Sequence, residues 1–426
     1  MEDLKRLFRK GSFLLILLCL AVAAGSFFTG FKEDKGRKQP EESWEPAMEI
    51  SGSATTGNTG AADKGKEPQE ALPSPYFLEE PDSLLSEAEE KELENSALSA
   101  ALEVQEVYRY AAIEEDAPYT YTVRDFSREQ RNRVVSMLGE AGYVSITDGA
   151  NMENHNNVRD FYSAYLKGQD SLVTIFDVNL DGLIGAYTFI HRKGNLQTFY
   201  VQIGWREGGV PEIISTAVSD IAEIKLTEKG YFIYAYTVQL YHSSLRQFWR
   251  AAPLSDRCRE LTEKYLDGLS YVNYNVLVTD WDSNNVEDIL MPCMFEDLYR
   301  MDTGEILRPE NGEIPAEVYE RIMTTYFPVT KERIREICGY RADTDSYPYE
   351  MIFSSPYPPF GEVVGDKENP DGTLTLFVDG VWPDYNSDCA FTNIITVQPF
   401  DDGTFRYLSN SIEKKELDIP NVYDMK

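Results

Sequence analysis

Residues 171–241 read SLVTIFDVNLDGLIGAYTFIHRKGNLQTFYVQIGWREGGVPEIISTAVSDIAEIKLTEKGYFIYAYTVQLY. Short β-branched and aromatic runs (SLVTIFDV, LIGAYTFIH, LQTFYVQIGW, EIISTAV, IAEIKLT and YFIYAYTVQLY) follow one another there. Lys193-Gly194-Asn195, Glu207-Gly208-Gly209 and Glu228-Lys229-Gly230 separate them. Gly and Asn supply the positive φ that tight hairpin turns need, so the pattern predicts an antiparallel meander.

Upstream the period is helical. Ser86-x-x-Glu89 is a capping box, followed by Leu98, Ala101, Leu102 and Tyr108 at helical spacing. Ser127-x-x-Gln130 caps a second helix carrying Val134, Val135 and Leu138. Val158, Phe161, Tyr162, Tyr165 and Leu166 form the clearest apolar stripe, ended by Gly168. Downstream, Ser255 starts a helix with Cys258, Leu261, Tyr265 and Leu266 inward. Tyr274–Thr279 and Val286–Phe295 read as strands, Pro315 opens a helix over Ala316–Tyr326, and Thr330 caps Lys331–Cys338. Tyr349–Phe353, Thr373–Val378, Ala390–Val397 and Thr404–Leu408 return to strands, with turns at Asp371-Gly372 and Asp402-Gly403. Helices and strands come in runs. That predicts an α+β fold, a mainly antiparallel β meander with flanking helices, after an N-terminal transmembrane or signal helix.

The N-terminal segment carries Lys5, Arg6, Arg9 and Lys10, then Gly11–Phe31 (GSFLLILLCLAVAAGSFFTGF) without a charge. About 20 apolar residues cross a hydrocarbon core. Ala21-Val22-Ala23 and Val22-Ala23-Ala24 fit a signal cleavage site, and Cys19 is a lipidation candidate preceded by bulky Leu18. Apolarity continues through Phe27, Phe28 and Phe31, which favours a retained anchor. Lys32, Lys35, Arg37 and Lys38 follow, so the basic residues on the two sides nearly balance. The ordinary export arrangement, a short basic head inside, sets the expected orientation. The expected organisation is a signal anchor or signal peptide over 1–31 and a disordered tether over 32–80. A globular extracytoplasmic domain follows over 81–426, with a helical lead-in at 86–168. The tether is rich in Gly, Ser, Thr, Pro and Lys/Glu and has too little apolar surface to offset its ordering entropy. The expected location is the cell membrane, single-pass, or secretion after cleavage.

The formal net charge is −32, and nearly all of it falls beyond residue 75. Such a domain repels nucleic acid and anionic lipid. Partners expected are therefore the membrane, through Gly11–Phe31, and a cell-surface ligand or protein, with no nucleic acid. Cys258, Cys293, Cys338 and Cys389 lie far apart with no CxxC spacing, which argues against a zinc site. Up to two disulfides are allowed in an exported chain, but helical stripes around Cys258 and Cys338 point to buried free thiols. No Asn sits in an N-x-S/T sequon, which favours a bacterial envelope over a eukaryotic exterior.

The best metal candidate is Asp280-Trp-Asp282-Ser-Asn284-Asn-Val286-Glu-Asp288. Oxygen side chains stand at positions 1, 3, 5 and 9, with the Val286 carbonyl at 7, and calcium takes six to eight hard oxygens. Calcium is the one cofactor expected. Asp177-x-Asn179-x-Asp181-Gly182 begins similarly but lacks the closing carboxylate, and Asp384-x-Asn386-x-Asp388 is weaker still. The bland alternative for all three is an Asx-rich turn. His155, His191 and His242 are the only histidines. They stand in no HExxH or GxSxG context, and each is expected to be structural. Trp205, Trp249, Trp281, Trp382 and the segment Ser355–Gly361 lie at strand ends or turns, where aromatics stack on ligands or fill the core.

The loop Asp280–Asp288 resembles the calcium hairpins of FG-GAP propeller repeats, D-x-D-x-D-G-x-x-D before an apolar strand. It departs from them at Asn285, where that family prefers Gly. The tracts Pro315–Gly339 (PAEVYERIMTTYFPVTKERIREICG) and Asp371–Ser409 are similar to uncharacterised envelope-associated proteins of Gram-positive gut bacteria. That resemblance implies a location and no activity. The functional expectation is a membrane-tethered extracytoplasmic binding or interaction domain, calcium-stabilised, without catalysis. The alternative is an envelope hydrolase of glycan or peptide using paired carboxylates.

Overall fold

The computed structural model describes residues 81–117, 120–237, 246–269, 276–289, 291–309, 311–349 and 359–415. The N-terminal segment, the tether, His242, Ser355–Pro358 and most of Tyr349–Phe353 lie outside the described residues.

Helix α1 (Glu87–Glu103) starts at the expected capping box: the Glu89 backbone N–H donates to Ser86 Oγ, and the Ser86 N–H donates to the Glu89 carboxylate at 2.8 Å. It buries Ala97, Ala100 and Ala101, small side chains that let it lie close to its neighbours. Leu102, expected on that stripe, is 55% exposed instead. Helix α2 (Gln105–Tyr108) sinks Tyr108 into the core. The hairpin β1 (Ile113–Ala117) and β2 (Thr120–Val123) was invisible in the pattern, since IEEDA has no alternation. Helix α3 (Arg128–Glu140) follows its own capping box at Ser127 and buries Val134, Val135 and Leu138.

Strand β3 (Val144–Thr147), helix α4 (Asn156–Leu166) and strand β4 (Ser171–Val178) make a crossover, with β3 and β4 parallel. From β4 the chain runs as the expected meander. Strands β5 (Ile184–Arg192), β6 (Asn195–Arg206), β7 (Val210–Leu226), β8 (Tyr231–Tyr236) and β9 (Gln247–Arg250) pair antiparallel in sequence order. EIISTAV and IAEIKLT are one 17-residue strand, β7, whose first part pairs with β6 and second with β8. The polar Ser219-Asp220 inside it is no turn, because Asp220 is used by both neighbours: its carboxylate accepts from Gln197 and its carbonyl from the Thr237 N–H. One face of this seven-stranded sheet, with Phe176, Ile184, Val201 and Trp205, packs under α1–α3. The other, with Tyr187, Phe189, Tyr200, Phe232 and Tyr234, closes with Val158 and Phe161 of α4. The sheet curls far enough for Trp249 of β9 to reach Asp177 of β4.

The second half begins with α5 (Asp256–Tyr265), which buries Cys258, Leu261 and Tyr265 as expected. Val286–Phe295 corrects the sequence reading: it holds a 3₁₀ turn over Val286–Asp288 and the start of helix α6 (Met291–Thr303), with no strand. Met291, Met294, Phe295 and Leu298 repeat at helical spacing, and that period prevails over the local β propensity. Val276–Val278 form a turn where a strand was expected. The remainder is β10 (Glu313–Pro315), α7 (Ala316–Tyr326), α8 (Lys331–Ile337), β11 (Ser346–Pro348), β12 (Phe360–Glu368), β13 (Leu374–Trp382), β14 (Ser387–Pro399) and β15 (Phe405–Lys414). The last four form an antiparallel sheet in sequence order. Its inner face, with Leu376, Val378, Ile395 and Tyr407, packs on residues of α5–α8. The architecture is α+β with mostly antiparallel sheets.

The two sheets meet at a junction with few apolar residues, chiefly Tyr231, Ile233 and Val381 with Phe248 and Phe360. Charge does the rest. Glu362 is 7% exposed. One of its oxygens accepts from Tyr231 Oη at 2.8 Å, and the other from Arg250 Nη1 at 2.6 Å. Burial pushes this carboxyl up and Arg250 pulls it back, with the balance above the ordinary glutamate value. Lys229 pairs with buried Asp379 beside it.

Removing one member of a buried ion pair strands the other charge. Arg250→Met is therefore expected to cost about 3–5 kcal/mol in urea unfolding. Arg250→Met with Glu362→Leu should cost less than Arg250→Met alone. A double variant at least as damaging as that single substitution would show that the pair does not hold the junction.

Candidate functional site

Because β3 and β4 are parallel, the loops leaving their carboxyl ends emerge side by side. In open sheets this is where ligands most often bind. The loops carry Asp148 after β3, and Asn179, Asp181 and Gly182 after β4, with Asp177 near the end of β4 itself. Asp267, just beyond α5, joins them electrostatically, since it feels the charges of Asp148 and Glu263. Asp177 likewise feels Asp148 and Asp181.

The carboxyl of Asp177 faces inward, although the residue as a whole is only half-buried. Trp249 donates its indole N–H to Asp177 Oδ2 at 3.0 Å. Tyr187 packs edge-on against Trp249 at 5.2 Å, and Tyr234 stacks on it at 5.2 Å. Tyr200 lies 4.7 Å from Tyr187 between ring centroids. Burial among these rings pushes Asp177 up to about 6, and its acidic neighbours add to this against the Trp249 hydrogen bond. Asp267 is also pushed up to about 6, by desolvation first and then by Asp148 and Glu263, while Arg128 and Arg300 pull the other way. Burial raises Tyr187 and Tyr234 well above the ordinary phenol value. One wall is tied down by cations: Arg128 spans Glu263 at 2.5 Å and the Gly149 carbonyl at 3.3 Å, and Arg259 reaches the same carbonyl. Asn151 closes the base through paired bonds with the Leu254 backbone. The arrangement offers one inward-facing carboxyl, Asp177, beside aromatic rings, with the exposed Asp148 and Asp267 at the neighbouring loops. Two shallow grooves of about 350 and 520 Å³ lie elsewhere, against α5 and α4, and neither is lined by these carboxyls.

The sequence-derived metal residues end in different places. In the Asp177–Asp181 loop, Asp181 Oδ1 accepts from the Leu183 N–H at 3.0 Å and Gly182 takes φ +78°, the geometry of an Asx turn. Gly182 is obligatory there, because a Cβ would meet Val123 at 2.7 Å. In Asp280–Asp288, Asp280 Oδ1 accepts from the Ile412 N–H and Asp282 Oδ1 from the Asn284 N–H, each at 2.7 Å. Asn285 ties the loop together: Oδ1 accepts from the Asp282 N–H, and Nδ2 donates to Asp288 Oδ2, both at 2.7 Å. Its φ is −134°, so it does not take the left-handed conformation that Gly supplies in the FG-GAP hairpins. Asn284 is exposed, and Val286 is buried in the 3₁₀ turn. Trp281 pairs through its backbone with Asn410 of β15. In the Asp384–Asp388 loop, protein cations stand around the oxygens: Arg246 Nη1 donates to the Asp384 carbonyl at 2.6 Å and Lys225 Nζ to the Asn386 carbonyl at 2.7 Å. Asp388 Oδ2 accepts from the Lys229 N–H. This loop belongs to the junction. Among the described residues no group of three or more His, Cys, Asp or Glu is arranged to hold a metal ion.

His191 is buried, with a ring nitrogen 2.7 Å from the Gln169 carbonyl, and His155 precedes α4. Trp205 and Trp281 are core residues. Cys258, Cys338 and Cys389 are buried free thiols. Asp148 and Asp267 escaped the sequence reading. Each precedes a Gly at the end of an element, and that Asp-Gly pair is the only local signal they give.

The chain belongs to the family of unknown function DUF6070, whose model matches residues 90–426. No curated protein and no solved structure matches it. Among the described residues no helix is long and apolar enough to cross a membrane.

Two predictions follow from the geometry. The folded-state pKa of Asp177, about 6, exceeds its unfolded value near 3.8. The folded form thus holds the proton more tightly, and this stability is complete below pH 3.8 and lost as pH rises through about 6. Asp177→Asn keeps an acceptor for Trp249 and should flatten the difference between urea midpoints at pH 4 and pH 7. An unchanged difference would assign the dependence to other groups. Separately, Asn285→Ala removes the bonds to Asp282 and Asp288 and is expected to cost about 1–2 kcal/mol. A midpoint equal to that of the unmodified protein would mean the loop holds itself without Asn285.

Proposed function

We propose that this chain is a membrane-tethered extracytoplasmic binding domain that recognises amino or guanidino groups of the cell envelope at the acidic loops of Asp148, Asp177 and Asp267. Gly11–Phe31 is the anchor and residues 32–80 the spacer. The observation that carries this reading is the Asp177 carboxyl, turned inward against Trp249 and pushed up to about 6 by burial and by Asp148 and Asp181, with the exposed Asp267 within reach of the same Asp148 charge. A ligand cation placed there would relieve that repulsion and draw both carboxyls into their charged form. Trp249, half-buried beside Asp177, supplies an aromatic ring, and ring faces attract cations independently of the carboxylates. The acidic excess of the folded part would draw such ligands inward and keep nucleic acid out.

The same raised pKa favours a second reading, an envelope hydrolase. A carboxyl raised toward neutral pH, as at Asp177, is the kind of general acid that glycoside hydrolysis uses.

Full-length protein in detergent, mixed with purified Gram-positive cell-wall sacculi, separates the two. Binding predicts co-sedimentation that weakens with salt and falls at least several-fold in Asp177→Asn and Asp267→Asn, with no soluble sugar or peptide released. Release of reducing ends or free amino groups, lost in both variants, would replace binding by hydrolysis. Sedimentation unaffected by either substitution would remove these acids from the function.

A further inference from the structure

We propose that Cys389 and Lys415 are a site of oxidative cross-linking, in which peroxide joins Sγ to Nζ through a single oxygen atom. Lys415 Nζ lies 2.8 Å from Cys389 Sγ. That is inside the roughly 3.5–4.0 Å at which non-bonded heavy atoms rest. Two single bonds through one oxygen span nearly the same gap, so the bridge needs little rearrangement. The backbone fixes the approach, since the Lys415 N–H donates to the Ala390 carbonyl at 3.0 Å where β14 pairs with the end of β15. The thiol also donates to Asp379 Oδ1 at 3.3 Å.

The neighbouring lysine is the wrong partner. Lys229 also reaches Cys389, but it pairs with the Asp379 carboxylate: burial lowers its ammonium, and Asp379 together with Cys389 raises it, with the balance above the ordinary lysine value. A protonated amine is no nucleophile. Lys415 is exposed and makes no ion pair among the described residues. The other described thiols lack such a neighbour. Cys338 sits against Tyr319 and is pushed up to about 11 by burial, and Cys258 lies on the inner face of α5.

The chemistry balances with two molecules of hydrogen peroxide. The first transfers an oxygen to sulfur, giving the sulfenic acid and one water. The second accepts two electrons as the sulfenic oxygen bonds to Nζ. One N–H and one O–H bond break, and two waters leave. Sulfur and nitrogen are each oxidised by two electrons, and the chain gains one oxygen and loses two hydrogens. The product staples the open end of the β14–β15 hairpin. Among the described strands β15 is the last of its sheet, so β14 is the strand that this end pairs with. This inference is independent of the proposed ligand.

The test is peptide mapping of full-length protein by mass spectrometry after peroxide, with and without subsequent dithiothreitol. The expected product is one peptide pair containing Cys389 and Lys415, heavier by about 14 Da than its unlinked members and separated again by the thiol. Cys389→Ser and Lys415→Arg should each abolish it, whereas Lys229→Arg should leave it. Lys415 is exposed, so Lys415→Arg keeps the fold, checked by circular dichroism, even where Cys389→Ser does not. Cys389 recovered as sulfinic acid without a link, as an unchanged thiol, or linked to Lys229 would overturn the proposal.

Discussion

Glu362 sets the terms on which the two halves of this protein meet. It is a carboxylate on the outer side of a four-stranded sheet, with water excluded by the seven-stranded sheet pressed against it. A charge in that position is tolerable only with its oxygens filled, and Tyr231 and Arg250 fill them from adjacent strands of the other sheet. The two donors come from β8 and β9, which are therefore fixed relative to β12. The same demand recurs at Asp379 with Lys229, and Asp384 Oδ1 is filled by the Arg246 backbone N–H. A junction with few apolar side chains gains little from area alone. Its geometry comes from the requirement that each buried acid have its oxygens filled.

This constraint explains which parts of the fold were legible in the chain. The capping boxes at Ser86 and Ser127 and the turns around Gly194, Gly208 and Gly230 are local, so they read correctly. The parallel β3–β4 pair is not local. Val144–Thr147 is four residues with nothing to distinguish it from a buried turn, and its partner lies beyond a whole helix. Val286–Phe295 misled because its β-branched and aromatic content mimics a strand. Burial against α7 and the small sheet made it a helix. The candidate site shows the same division. Asp177 and Asp181 stood out as an acidic loop, and Trp249 as an aromatic at a strand end. Asp148 and Asp267 joined them only through the crossover and the packing of α5, which no spacing rule contains.

Acid-rich loops in this sequence look like cation sites because oxygen ligands at alternate positions are what cations need. The structure gives those oxygens other donors. Backbone N–H groups and Asn285 occupy them in Asp280–Asp288. Leu183 does so in the Asp177–Asp181 hairpin, and Arg246, Lys225 and Lys229 in Asp384–Asp388. A carboxylate that has already gained hydrogen bonds from the fold gains less from a metal. A metal must displace those bonds before it binds.

Asp177 and Asp267 differ from the rest in this respect. Most acids at the loops and the junction are held by arginine, lysine or several backbone donors. Asp177 has one indole N–H and otherwise faces rings and like charges. Asp267 has Arg128 and Arg300 near it, yet the neighbouring acids and desolvation outweigh them. Natural structures seldom keep a desolvated carboxyl without a matched partner unless something else supplies the compensation. An acid with no cation of its own, in a protein that assigns one to Glu362 and to Asp379, marks where a charge from outside the chain would be worth most.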